Sequence, residues 1–141
     1  MHYFVFSEKD TTIYQASGSQ NTGLDEILEV RKDISKTGGT INVSRASIEF
    51  DLTRITRDIN RGIIKNPKYF LNLFEANSTN LNTTQSLYAY PVSGSWVMGG
   101  GRLDDNPITT EGCSFNFRDG KTQSTLWRPP VTASGGNWHT G

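Results

Sequence analysis

The clearest pattern along the chain is an alternation in which Ala46, Ile48, Phe50 and Leu52 are apolar while Arg45, Ser47, Glu49 and Asp51 are polar. A period of two is what a half-buried strand requires, so residues 42–52 are expected to form a strand with the apolar set toward the core. The period then lengthens. Leu52, Ile55, Ile59 and Ile63 stand three or four apart, which predicts a short helical turn near residues 53–62, crossing an open end of a sheet. Asn66-Pro67 breaks that segment. The mainly apolar run Lys68-Tyr69-Phe70-Leu71-Asn72-Leu73-Phe74-Glu75 is too short for a typical helix and reads as a central strand packed on both faces.

The remaining strand signals are shorter. Residues 3–6 and 11–15 read as the first two strands, with polar Ser7-Glu8-Lys9-Asp10 between them. Ile27, Leu28 and Val30 mark a strand that ends among Arg31-Lys32-Asp33, and Gly38-Gly39 turns the chain back. Residues 86–92 form another aromatic strand, whose Pro91 sets its end at an edge or bulge. Beyond it only 113–117 and 125–127 look extended. Polar residues 17–23 and 76–84 read as loops, Gly99-Gly100-Gly101 as flexible, and Asp104-Asp105-Asn106-Pro107 as a turn. These elements predict an all-β fold, a jelly-roll-like β-sandwich. One domain over residues 1–141 is expected, and because it closes on no strand it reads as the N-terminal part of a longer polypeptide.

Composition narrows the function. Hydrophobic residues make up only 34% of the chain but aromatics 11%, so the core is thin and built on rings. Fourteen Lys and Arg balance fourteen Asp and Glu, and no basic run is long enough to neutralise several phosphates, which argues against a nucleic-acid partner. No segment approaches the ~18 apolar residues of a membrane span, and the start lacks a charged leader. The single cysteine, Cys113, excludes an internal disulfide and reads as a small buried hydrophobe.

No constellation for catalysis emerges. His2 and His139 sit at opposite ends with one cysteine between them, so a zinc site lacks ligands and no cofactor is expected. Asp104 and Asp105 could offer oxygens to an ion, but they lack the longer acidic pattern of a calcium loop and fit a turn better. Gly120-Lys121-Thr122 resembles the end of a phosphate-binding loop, yet the required first glycine is Phe115. Asp10, Asp51 and Glu75 read as solvated charges rather than an acid–base pair. The candidate ligand-contacting residues are Trp96, Trp127 and Trp138, with Tyr88 and Tyr90, whose flat rings suit stacking on a sugar; packing in a core or subunit seam is the commoner fate of such rings.

The run Asp10-Thr11-Thr12-Ile13-Tyr14, then Asn21-Thr22-Gly23, then Ser44-Arg45-Ala46-Ser47-Ile48-Glu49-Phe50-Asp51-Leu52, then Ser95-Trp96 before a glycine-rich stretch, resembles the DNRLRE-type jelly-roll domains. Those domains are similar to carbohydrate-binding modules and recur in structural proteins of tailed-phage virions. The resemblance implies a β-sandwich, a central strand ending Phe50-Asp51-Leu52, and no catalytic residues. The further strands with which such domains continue are missing before Gly141. With no leader, no disulfide and Met1 directly before the first strand, the expected function is that of a non-enzymatic virion structural protein. Its place would be a tail fibre, baseplate, neck or capsid surface. Its partners would be other virion proteins and copies of itself, docked through strand edges and the loops 17–23 and 76–84. The alternative is a carbohydrate-binding module that grips host surface glycan. Fold analogy alone does not choose between the two.

Overall fold

A computed structural model describes residues 2–35, 38–76, 86–92, 94–120 and 125–127. Among them the chain is mostly extended, with strands β1 (Ser7–Tyr14), β2 (Arg31–Ile34), β3 (Ile41–Phe50), β4 (Phe117–Asp119) and β5 (Thr125–Leu126) and one helix, α1 (Thr53–Asn60). Two small antiparallel sheets result, one ordered β1-β3-β2 and one pairing β4 with β5.

Strand β3 covers most of the expected 42–52 segment and is the centre of the larger sheet. Strand β1 starts later than the apolar run suggests: Ser7 to Asp10 belong to the strand, and residues 3–6 lie outside it, extended and exposed. Pairing across the sheet explains this, because Lys9 stands opposite Glu49 and donates to its carboxylate at 2.9 Å, while a register irregularity separates Ser7 from Lys9. Similarly, β2 is the charged stretch Arg31–Ile34 rather than Ile27 to Val30. Gly38 and Gly39 turn the chain into β3 at φ of 101° and 67°, which side chains rarely allow.

The face assignment is reversed from the one the alternation suggests. Residues directly opposite in an antiparallel pair share a face, and Ile13 stands opposite Arg45, Thr11 opposite Ser47. Ile13 is buried in a cluster with Trp96, Cys113, Phe115 and Trp127, against which Val43 packs. Arg45 lies over the Phe115 ring at 5.5 Å and Lys9 over the Trp96 ring at 5.8 Å. The core-facing side of β3 is therefore Val43, Arg45, Ser47 and Glu49. Ala46, Ile48 and Phe50 look the other way and remain half-buried, with Leu52 beyond them exposed.

Two further expectations change. Residues 17–23 are not a surface loop: Gln20, Asn21 and Thr22 are buried, with Asn21 completely so. Its amide nitrogen donates to the carbonyls of Met98 and Cys113, both at 2.7 Å, and its Oδ1 accepts from the backbone N–H of Gly101 and Gly23. The glycines 99–101 are consequently pinned instead of flexible, since a Cβ on Gly99 or Gly101 would collide with Asn21. Helix α1 falls where the three-to-four spacing places it and stops at Gly62, whose φ is 71°.

Candidate functional site

Few described residues converge on any point where a reaction could take place. A cavity of about 130 Å³ beside β2 and β3 is lined by Tyr14, Glu29, Arg31, Asp33, Asn42 and Ser44, but its charged groups are paired with one another. Arg31 bridges Glu29 and Asp33, and the Tyr14 hydroxyl donates to Glu29 at 3.1 Å. Burial and the Glu29 charge push the Tyr14 phenol up to about 12, which leaves it protonated at neutral pH. An open hollow of about 560 Å³ at the end of the sheet is lined by Glu8, Glu49, Asp51 and Thr53. There Glu49 pairs with Lys9, and Asp51 accepts from the Thr53 backbone N–H. That contact, with the Thr53 hydroxyl, holds the Asp51 carboxyl below the usual range.

The carboxylates singled out from sequence have separate partners. Asp10 accepts from the Ser7 hydroxyl, Asp51 from Thr53, and Glu75 is exposed in the segment 67–76. Asp105 is a turn residue: it accepts from the Arg102 N–H and the Thr109 hydroxyl, which together hold it ionised below the ordinary carboxylate range. Among the described residues no group of three or more His, Cys, Asp or Glu could hold a metal. Cys113 is fully buried, and burial pushes its thiol up to about 12.

Trp96 and Trp127 do not form a sugar face. Trp96 is 5% and Trp127 2% exposed, and the Trp127 indole donates to the Ser114 carbonyl at 2.9 Å. Both fill the core, as large rings in a chain poor in aliphatics must. Trp138 and His139, the Lys121-Thr122 part of the glycine motif and the loop 77–84 lie outside the described residues. Tyr88 and Tyr90 are exposed and stack at 6.4 Å between centroids with planes 23° apart.

What the structure does show is exposed apolar chain. Among the described residues, 67–76 and 86–92 lie in no sheet and are exposed throughout, including Phe70 at 81%, Phe74 at 94% and Tyr88 at 73%. The expected central strand at 68–75 is not formed among the described residues, where β1, β3 and β2 make up the larger sheet without it. Tyr3, Phe4, Val5 and Phe6 add a third exposed run, and Arg54 of α1 lies over the Tyr3 ring at 5.9 Å. Rings left in water in this number are more than a scatter of single exposed residues. Sequence reasoning missed the exposure because a run that is apolar on both faces looks the same whether or not neighbours cover it. Among the described residues no helix is long and apolar enough to cross a membrane. Comparison with protein-family models, curated proteins and solved structures matches none of them to this chain.

Proposed function

We propose that the chain is a non-enzymatic structural component of a tailed-phage virion, in a tail fibre, baseplate, neck or capsid-surface position, working through protein–protein contacts in a symmetric assembly. The observation that carries this reading is the exposed apolar runs of residues 3–6, 67–76 and 86–92, set beside a buried hydrophobic cluster that, among the described residues, consists of Ile13, Trp96, Cys113, Phe115 and Trp127. A lone soluble domain keeps its rings inside; an assembly part keeps some for its neighbours. The phage setting and a jelly-roll-like β-sandwich rest on the resemblance of the motifs around Ile13, Asn21, Phe50 and Trp96. Mass spectrometry of purified virions should find the chain at a fixed copy number, and a particle map should place it on a symmetry element. A monodisperse monomer absent from every particle would overturn the proposal.

The exposed Tyr88 and Tyr90 rings favour one second reading, a carbohydrate-binding module helping the particle grip host surface glycan. In that case glycan-array binding disappears in Tyr88→Ala while the fold persists. An array silent for the intact chain removes this reading.

A further inference from the structure

Residues 70–74, Phe70-Leu71-Asn72-Leu73-Phe74, read the same in both directions about Asn72, and they are flanked by a cation, Lys68, on one side and an anion, Glu75, on the other. The segment is exposed throughout and, among the described residues, belongs to no helix and no strand ladder. We propose that residues 69–75 pair antiparallel with the same residues of a second copy of this chain, about a two-fold axis through Asn72. This rests on the assembly reading above and names its first partner.

Three observations commit the surface to a second copy. An isologous contact requires a self-complementary patch, and an antiparallel alignment centred on Asn72 sets Phe70 opposite Phe74 and Leu71 opposite Leu73 in both directions. Cross-strand pairs of like apolar residues are the favourable ones. Charge does not oppose it: about Asn72, Lys68 faces Ala76 and Glu75 faces Tyr69 of the second copy, so cation and anion fall one position apart at each end and no like charges face each other. Exposure supplies the third observation: Tyr69, Phe70 and Phe74 are 65%, 81% and 94% exposed, so the strip has rings to bury against a twin.

Pairing would also satisfy the backbone. Drawn out beside its twin, the segment finds both donors and acceptors for its backbone in the second strand. Asn72 meets Asn72 of the second copy at the axis, where the two amides can donate and accept reciprocally. One polar pair in an apolar strip holds register, because a slip would bury an amide against leucine.

The test uses the full chain with Asn72→Cys. Opposed Cα atoms in an antiparallel pair stand about 4.5–5.5 Å apart, within disulfide reach of about 4.4–6.8 Å. Under mild oxidation N72C should therefore convert to a single covalent dimer. Asn60→Cys, exposed at the end of α1, should stay monomeric under the same conditions, and Cys113 is too buried to interfere. Sedimentation of the unmodified chain should show a discrete dimer, with Phe74→Lys weakening it by about 100-fold. Near-ultraviolet circular dichroism of the buried tryptophans reports that the variants remain folded. A monomer at all concentrations, open-ended aggregates, or N72C cross-linking no faster than N60C would overturn the pairing. Virion mapping is independent of these outcomes: a chain found at fixed copy number in particles but failing to cross-link sinks the pairing alone, and a dimer absent from particles sinks the virion reading alone.

Discussion

Replacing Asn21 with Ala would leave the carbonyls of Met98 and Cys113 and the amides of Gly23 and Gly101 without their partner in the interior. Each such loss is worth about 1 kcal/mol, more where water cannot enter, so Asn21→Ala should destabilise the fold by about 3–5 kcal/mol in urea denaturation followed by tryptophan fluorescence. Asn21→Asp should lose a similar amount, because a carboxylate oxygen would then face two carbonyls. The sequence shows Asn21-Thr22-Gly23 as polar and therefore loop-like; apart from Gly23, the partners of Asn21 lie 77 to 92 residues away, and no local rule reveals them. The same scale sets an alkaline limit. Cys113 is raised from 9.0 to about 12 by burial, and Tyr14 from 10.0 to about 12 by burial and Glu29. Both folded-state values lie above the unfolded ones, so the folded state holds its protons longer. The stability they contribute is complete below pH 9 and is lost as pH rises toward 12. The denaturation midpoint should therefore hold up to about pH 9 and fall from there toward about pH 12, and Cys113→Ala should flatten part of that slope. A thiol reagent should modify Cys113 only after unfolding.

At the level of elements, β3 separates what a pattern reveals from what it hides. Its period of two was legible, and so was the change to a helical spacing that becomes α1, because both depend on neighbours within a few residues. Which face turns inward was not legible. That depends on what covers each face, and the cover is Trp96, Cys113, Phe115 and Trp127, all more than forty residues downstream. The apolar set Ala46, Ile48 and Phe50 was expected inward, whereas the core takes Ile13 and Val43, with the Arg45 guanidinium over the Phe115 ring and the Lys9 ammonium over the Trp96 ring. A comparison of two isoleucines checks this. Ile13→Ala, in the cluster, should cost about 2–5 kcal/mol, and Ile48→Ala, on the half-buried face, about 1 kcal/mol. Equal costs, or the reverse order, would mean that the sheet packs through its other side. The charged starts of β1 and β2 were hidden for the same reason, since Glu49 pairs with Lys9 only once β1 and β3 are aligned.

For the whole molecule the balance of charge decides how its copies meet. Fourteen cationic and fourteen anionic side chains cancel, with an isoelectric point near 6.7, so at neutral pH no long-range repulsion opposes contact between the exposed rings of 67–76 and 86–92. Acid changes that. As carboxylates take up protons, the Lys and Arg charges remain, so each copy becomes strongly positive. Self-association of the free chain should therefore be greatest near the isoelectric point, weaken toward about pH 4 at low ionic strength, and recover partly when salt shortens the screening length to about 10 Å. Light scattering over that range measures it, with near-ultraviolet circular dichroism of Trp96 and Trp127 separating dissociation from acid unfolding. The sign of the salt effect discriminates. If added salt at acid pH restores association, the contact is apolar and is opposed only by net charge. If salt weakens association at neutral pH instead, ion pairs hold the copies together, and the apolar runs are not the surface through which this chain assembles.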